Sequence, residues 1–312
     1  MAVRWPETVN EILCGDQVLM FAYVTPASGV VLTPLTNFAL VDREAGTTTP
    51  NTSVGTWRKL DRIRRNPRVA LAFHTRVHGF SDRAEYVLVQ GRASLTPPDP
   101  DYAGSIRENW ERFGGGHEAN ALWTWWLRAW HLRVGIEVAA ERVIVWPDQS
   151  CHGSPEVHGA SLPVDQPAIQ RPPAHGTGPR INHGRAAKRA ARLPNVLLGW
   201  VGADGFPVVA PVEVAGTEER GIVLECPEGL VPPGGRRAGL TAHSFTRYTL
   251  GQTLRKHTGW LEAEPGRRRI VYAPHTSTGY WLPESKVVFR LAAGFVTRRG
   301  LRGARRAGIL PG

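Results

Sequence analysis

Disulfide chemistry is the first thing this sequence lacks. Its 312 residues hold three cysteines, Cys14, Cys151 and Cys226, an odd number set far apart. That pattern makes no disulfide framework and reads as the reduced thiols of a cytoplasmic protein. Long apolar runs are missing too: no window holds the roughly eighteen apolar residues that cross a bilayer, so no part for a membrane is expected. The opening Met-Ala-Val-Arg-Trp-Pro-Glu has no apolar core of a secretion signal, and the sequon Asn51-Thr52-Ser53 then carries no meaning. Acid is scarce. Asp and Glu number 27 against 38 Lys and Arg, a formal charge of +11. Such a surplus favours anionic ligands: nucleotides, phosphorylated cofactors or nucleic acid. The arginines are scattered, and no stretch interleaves aromatics with cations as a single-strand platform does, which counts against nucleic acid. Nucleophile and metalloprotease signatures are absent, with no Gly-x-Ser-x-Gly, His-Glu-x-x-His or P-loop. Cys151, His152 and His158 match no zinc spacing, and no metal site is assigned.

What is present centres on residues 49–68, Thr-Pro-Asn-Thr-Ser-Val-Gly-Thr-Trp-Arg-Lys-Leu-Asp-Arg-Ile-Arg-Arg-Asn-Pro-Arg. A loop of hydroxyl residues feeds a short basic helix. Thr52, Ser53 and Thr56 are N-cap candidates, and Gly55 permits close approach of a ligand. Trp57, Leu60 and Ile63 give an apolar stripe; Arg58, Arg62 and Arg65 share a side, with Lys59 beside them. Asn66-Pro67 stops the helix, and the apolar run from Arg68 to Phe73 follows as a buried strand. Hydroxyls, cations and a helix N-terminus together suit a phosphate.

This order of hydroxyl loop, Arg-Lys, Ile-Arg-Arg-Asn-Pro-Arg-Val and strand resembles the pyridoxamine 5'-phosphate oxidase-like superfamily of split β-barrels, whose members use FMN or the deazaflavin F420. The resemblance implies that Thr52, Ser53, Arg58, Lys59 and Arg62 hold the cofactor phosphate, and that Thr33, Pro34 and Leu35 on an earlier strand are further cofactor contacts. It covers residues 17–146 well.

The chain in order opens with a short helix, Glu7 to Cys14, then strands at Gln17 to Val24 and Val30 to Leu35, and a third within Thr36 to Asp42. Glu85 to Leu95 is a strand bent at Gly91-Arg92-Ala93. A helical insert follows, with Ile106, Trp110 and Phe113 on one face, a break at Gly114-Gly115-Gly116, and a second helix whose tryptophans read as core packing. Leu132 to Trp146 is a long closing strand, and Ser150 to Arg180, rich in Pro and Gly, is a linker. The chain then repeats itself. Met20 to Val24 lines up with Leu197 to Val201 and Pro34 with Pro211, both at an offset of 177 (197−20, 211−34). Arg68 to His74 lines up with Arg237 to His243 at 169 (243−74), eight residues fewer. What fills the shorter interval, Cys-Pro-Glu-Gly-Leu-Val-Pro-Pro-Gly-Gly-Arg-Arg, cannot form a basic helix. The expected fold is therefore mainly β: two split β-barrel units with helical additions, forming an intramolecular pseudo-dimer by tandem duplication. The expected domains are 1–148 with the phosphate site, a linker 149–182, and a degenerate second barrel 183–312.

A flavin would carry the chemistry itself, leaving the protein to bind, orient and exclude water. The leading reading is an FMN-dependent oxidoreductase acting on a small molecule. F420-dependent reduction is the close rival, and a non-enzymatic barrel holding flavin or haem is a third. His74 and His243 end equivalent strands, either as substrate-pocket residues or as strand-end histidines facing solvent or backbone. The stretch Ala273 to Tyr280 reads as a loop over a pocket. One cofactor per chain is expected, since only the first copy keeps the cradle.

Overall fold

A computed structural model describes residues 3–114 and 121–310. The expected glycine break at Gly115 and Gly116 lies outside the described residues; Gly114 ends a helix just before it. The first half runs α1 (Glu7–Gly15), β1 (Val18–Val24), β2 (Val30–Thr36), β3 (Leu40–Asp42), β4 (Thr47–Thr49), β5 (Asn51–Ser53), α2 (Trp57–Arg65), β6 (Arg68–Phe73), β7 (Tyr86–Leu95), α3 (Tyr102–Ser105), α4 (Arg107–Gly114), α5 (Ala121–His131), β8 (Arg133–Trp146) and β9 (Glu156–Gly159). The second runs α6 (His183–Ala190), β10 (Asn195–Val201), β11 (Pro207–Pro211), β12 (Glu213–Glu218), β13 (Gly221–Glu225), β14 (Gly234–Ser244), β15 (Thr253–Ala263), β16 (Arg269–Trp281) and α7 (Lys286–Arg306).

The two sheets share one strand order. The first reads β2-β1-β6-β7-β8-β4-β3, with β5 and β9 also on β8; the second reads β11-β10-β14-β15-β16-β13-β12. Registers agree with the sequence offsets. Met20 pairs with Pro34 as Leu197 pairs with Pro211, and Phe21 with Leu71 as Leu198 with Leu240. Both sheets bulge at an equivalent glycine, Gly91 and Gly259. Differences are confined to insertions. Residues 226–233 hold neither helix nor strand where the first half has α2, and β15 turns straight into β16 where the first half carries α3, α4 and α5.

Every residue of β1 is buried, which explains its continuous apolar run. Leu19, Phe21 and Tyr23 point into the first barrel with Val69, Leu71 and Phe73. Met20 and Ala22 point the other way, into a core that joins Ala70, Ala72 and Leu88 to Leu197 and Val209 of the second half. A strand covered on both faces has no polar side to alternate with.

The packing between halves is reciprocal. β2 lies on β14, and β11 lies on β6. A methyl at Gly199 would come within 2.8 Å of Leu32, and one at Gly239 within 2.3 Å of the Val30 carbonyl oxygen. Thr241 donates to the Leu32 carbonyl (3.3 Å) and Tyr86 to that of Val209 (2.7 Å), the equivalent of Leu32. His74 and His243, themselves equivalent, meet Nε2 to Nε2 at 2.8 Å. Two equivalent residues touch each other only on the axis relating their units, so a pseudo-two-fold passes between these rings.

Several expectations are corrected. Of the expected third strand only Leu40–Asp42 forms, because the Asn37 amide turns inward to the carbonyls of Leu13 (2.8 Å) and Asp16 (2.9 Å). Residues 273–280 are not a loop but the end of β16, paired with β15. The hydroxyl segment is partly strand, with β5 on β8. Helix α7 was not anticipated, since Gly294, Gly300 and Gly303 within it argue against a helix by propensity.

The shared bulge gives a paired prediction. A methyl at Gly91 would lie 2.3 Å from the Ala139 carbonyl oxygen, and one at Gly259 2.1 Å from that of Ala273. Gly91→Ala and Gly259→Ala should each lower stability by about 1–3 kcal/mol, measured by denaturant unfolding. A loss at one site and none at the other would contradict the equivalence.

Candidate functional site

The segment before α2 spends its hydroxyls on itself. Ser53 Oγ accepts from the Gly55 amide (3.2 Å) and donates to the Ala129 carbonyl (2.9 Å). Thr56 Oγ1 donates to the Ser53 carbonyl (2.9 Å) and lies 2.9 Å from Thr52 Oγ1. Ser53 thus caps the 3-10 turn of residues 54–56, while Thr56 stands at the start of α2 without capping it. This corrects the expectation of a hydroxyl N-cap on the basic helix.

Helix α2 buries Leu60 and Ile63 against the first barrel and takes Lys59 in with them, at 5% exposure. Lys59 Nζ donates to Thr52 Oγ1 at 3.0 Å and sits 6.0 Å from the Phe21 ring. Burial is the main cause that pushes its ammonium down to about 7, and Lys256 and Arg133 lower it further. Lys256 comes from β15 of the second half. It too is lowered, by burial first and then by Arg62. Arg133 is buried among the rings of Trp130 (4.4 Å), Trp110 (5.1 Å) and Phe38 (5.9 Å). Its Nε has no hydrogen-bond partner, and burial brings its guanidinium down to about 10. Arg62 lies over the Tyr23 ring at 5.9 Å. Burial raises the Tyr23 phenol, against the opposing pull of the Arg62 charge and of the polar Arg62 and Thr33 side chains.

Among the described residues, no ion pair joins Lys59, Arg62, Arg133 or Lys256 to a carboxylate. Their helix neighbours differ: Arg64 and Arg65 both reach Asp61, at 3.3 and 3.0 Å. Lys59 and Arg133 are buried and Arg62 and Lys256 half-buried; cations held so with no acid carry a cost that an arriving anion removes. The donor set therefore fits a phosphate-bearing ligand. Arg58 stands apart, exposed and 5.5 Å from the Trp57 ring.

A second group of expected residues converges nearby. Pro34 and Leu35 line a narrow crevice between the halves together with Val18, His243, Phe245 and Tyr280. His243 and His74 do not face solvent, but His74 Nδ1 meets the Ala72 carbonyl at 3.3 Å, the backbone alternative of the strand-end reading. Both are buried, and the Phe245 ring stacks on His243 at 5.9 Å. Burial lowers His74 to about 4 and also holds His243 well below the usual imidazole range. Both rings are neutral at neutral pH. Their mutual bond then needs one Nε2–H and one bare Nε2, so the two tautomers differ.

Three site residues escaped the sequence. Lys256 belongs to the copy that lacks a phosphate helix. A signal was there: Arg255-Lys256-His257 is a polar run within a long strand. Arg133 follows a tryptophan helix and looked like a strand start. Tyr23 sat unremarked in an apolar run.

No family model and no curated protein matches this chain. Among solved structures, a conserved hypothetical protein from Mycobacterium tuberculosis is 20% identical with a TM-score of 0.36, covering 47% of this chain and 87% of that one. A putative pyridoxamine 5'-phosphate oxidase from Listeria innocua is 20% identical with a TM-score of 0.30, covering 45% and 95%. A protein described as an F420 reductase is 19% identical with a TM-score of 0.32, covering 43% and 94%. Each matches about half of this chain and most of its own length. At such identities the likeness concerns fold and not activity.

Lys59 makes the site pH-dependent. Between about pH 7 and its ordinary value of 10.5, the unfolded chain binds a proton at Lys59 that the folded chain does not. Ligand-free stability therefore rises with pH across that window. An anion beside Lys59 restores the proton. Binding of a phosphate-bearing ligand such as FMN should then take up a proton above about pH 7 and weaken as the pH rises. Calorimetric titration in buffers of different ionisation enthalpy reads the uptake directly; none at pH 8–9 would contradict the role given to Lys59.

Proposed function

We propose that the chain is a flavin-dependent oxidoreductase of the pyridoxamine 5'-phosphate oxidase-like kind. It would bind one FMN between its halves and act on a small molecule; F420 is the alternative cofactor. The observation that supports this most is the burial of Lys59, within reach of the charges of Lys256 and Arg133 and, among the described residues, paired with no carboxylate. Lys59, Arg62 and Lys256 would hold the phosphate, with Thr52 fixing Lys59. Thr33, Pro34 and Leu35 on β2 would border the ring end, near the neutral His74–His243 pair. A bound flavin or deazaflavin would supply hydride transfer. The chain would supply binding, orientation and a crevice shielded from water. The same cations serve FMN or F420, because each carries a phosphate near its ribityl chain. A tandem duplication in a cytoplasmic protein, with domains near 1–148 and 183–312, accords with this reading.

One cofactor per chain follows from what became of the second copy. Its candidate cations are engaged elsewhere. Arg236 donates to the Pro233 carbonyl (2.6 Å) and the Pro167 carbonyl (3.5 Å), and Arg237 reaches Gln170 Oε1 at 3.3 Å. Pro167 and Gln170 belong to the linker. The Gln170 amide bonds the Gly235 carbonyl at 2.9 Å, so the linker lies along the start of β14.

Titration with FMN and with F420 tests the proposal. One equivalent of one of them should bind per chain. Changing both Lys59 and Lys256 to Ala removes two charge-assisted bonds of about 1.5–3 kcal/mol each, a loss on the order of a hundredfold or more. Arg58→Ala should change affinity little. Two equivalents per chain would contradict the asymmetry, and no binding of either would overturn the proposal.

A further inference from the structure

Helix α7 inverts the usual arrangement of an amphipathic helix. Its packed side carries small residues. A methyl at Gly294 would lie 2.2 Å from Trp126 Nε1, one at Gly300 2.2 Å from the Gly55 carbonyl oxygen, and one at Gly303 2.1 Å from Trp57 Nε1. Thr297 and Ala304 are buried between them. Phe289 and Leu301 are half-buried and Val296 is exposed on a different side, but four more large apolar residues face outward: Phe295 is 60% exposed, Val287 52%, Leu291 49% and Val288 40%. They fall on one side of the helix, at intervals of three and four. Arg299, Arg302 and Arg306 continue that side towards the C-terminus, all exposed. Helix α5 lies alongside, through Trp126 Nε1 to the Arg290 carbonyl (3.1 Å) and Arg298 to the Trp125 carbonyl (2.9 Å). It adds Trp125, 53% exposed, with the Arg298 guanidinium 4.5 Å from its ring.

Ordinary helices turn such residues to the core, and a contiguous apolar face left in water marks an interaction site. Charge says with what. Helix α7 contains seven Lys or Arg and no Asp or Glu, and α5 contains no acid either. A second copy docking through the same face would set arginine against arginine. A nucleic acid backbone would meet the arginines but gain nothing from Val287, Leu291 and Phe295. An anionic lipid surface rewards both: apolar side chains enter the acyl boundary, and arginines stay at the headgroups.

We infer that α5 and α7 form a face that docks the protein on anionic lipid bilayers, with α7 lying in the interface. Among the described residues no helix is long and apolar enough to cross a membrane, and the proposed association is with the bilayer surface. This departs from the expectation, drawn from the lack of long apolar runs, that membranes play no part. The inference does not depend on which cofactor the protein holds.

Flotation of the full chain with vesicles tests it, using phosphatidylcholine alone and an equal mixture of phosphatidylcholine with phosphatidylserine. The protein should float with the mixed vesicles, weakly or not at all with phosphatidylcholine, and less as salt rises. Leu291→Ser with Phe295→Ser replaces exposed side chains only. It should leave the melting temperature unchanged and lower partitioning about tenfold or more per residue. Arg299→Glu with Arg302→Glu should abolish the preference for phosphatidylserine. Failure to float with mixed vesicles at low salt would overturn the inference. So would unchanged partitioning of the serine double variant. A concentration-dependent dimer abolished by that variant, in place of vesicle binding, would make the face a self-association surface and overturn it as well.

Discussion

The structure depends on two sheets being buried face against face about a pseudo-two-fold. That contact explains why β1 and β6 have no polar side. It also explains why small residues, Ala22, Ala70 and Ala72, face the partner half, and why Gly199 and Gly239 stand where a methyl has no room. His74 and His243 lie on the axis, each serving as the other's hydrogen-bond partner where both rings are buried. Neutral imidazoles suit this place, since either charged form would have to shed its water with no acid to receive it. The crevice lined by Pro34, Leu35 and His243 exists only because the second half closes it.

Once the halves share a core, a site at their boundary need not be symmetric. The first half keeps α2 and brings Lys59 inside. The second has no helix at the matching place and gives its own arginines to the linker, yet its Lys256 lies near enough for its charge to act on Lys59. The result is one cluster of cations drawn from both halves. Its electrostatics are unfavourable without a ligand and become favourable with an anion, which is the property a phosphate site needs.

Much of this was legible in the sequence. The shared strand order of the two halves was visible as a constant offset, and the lack of an α2 counterpart in the second half as a change in that offset. The order around Lys59 was legible because a capped segment, a basic helix and a proline stop leave local signals. Contacts across the two-fold left none. Nothing near position 256 says that its charge reaches Lys59, and no pattern around Arg133 announces its aromatic box. Arg58 fits the motif by spacing, and its helical position turns it to solvent. Helix α7 was hidden because propensity disfavours its glycines, whereas tertiary packing needs them where Gly55, Trp57 and Trp126 come close.

The most direct test of this account is the position of the phosphate in a crystal structure of the chain with FMN or F420 bound. The account places that phosphate within hydrogen-bond distance of both Lys59 and Lys256, with one bound molecule per chain. A phosphate at Arg236 and Arg237, or one that Lys256 does not reach, would contradict it.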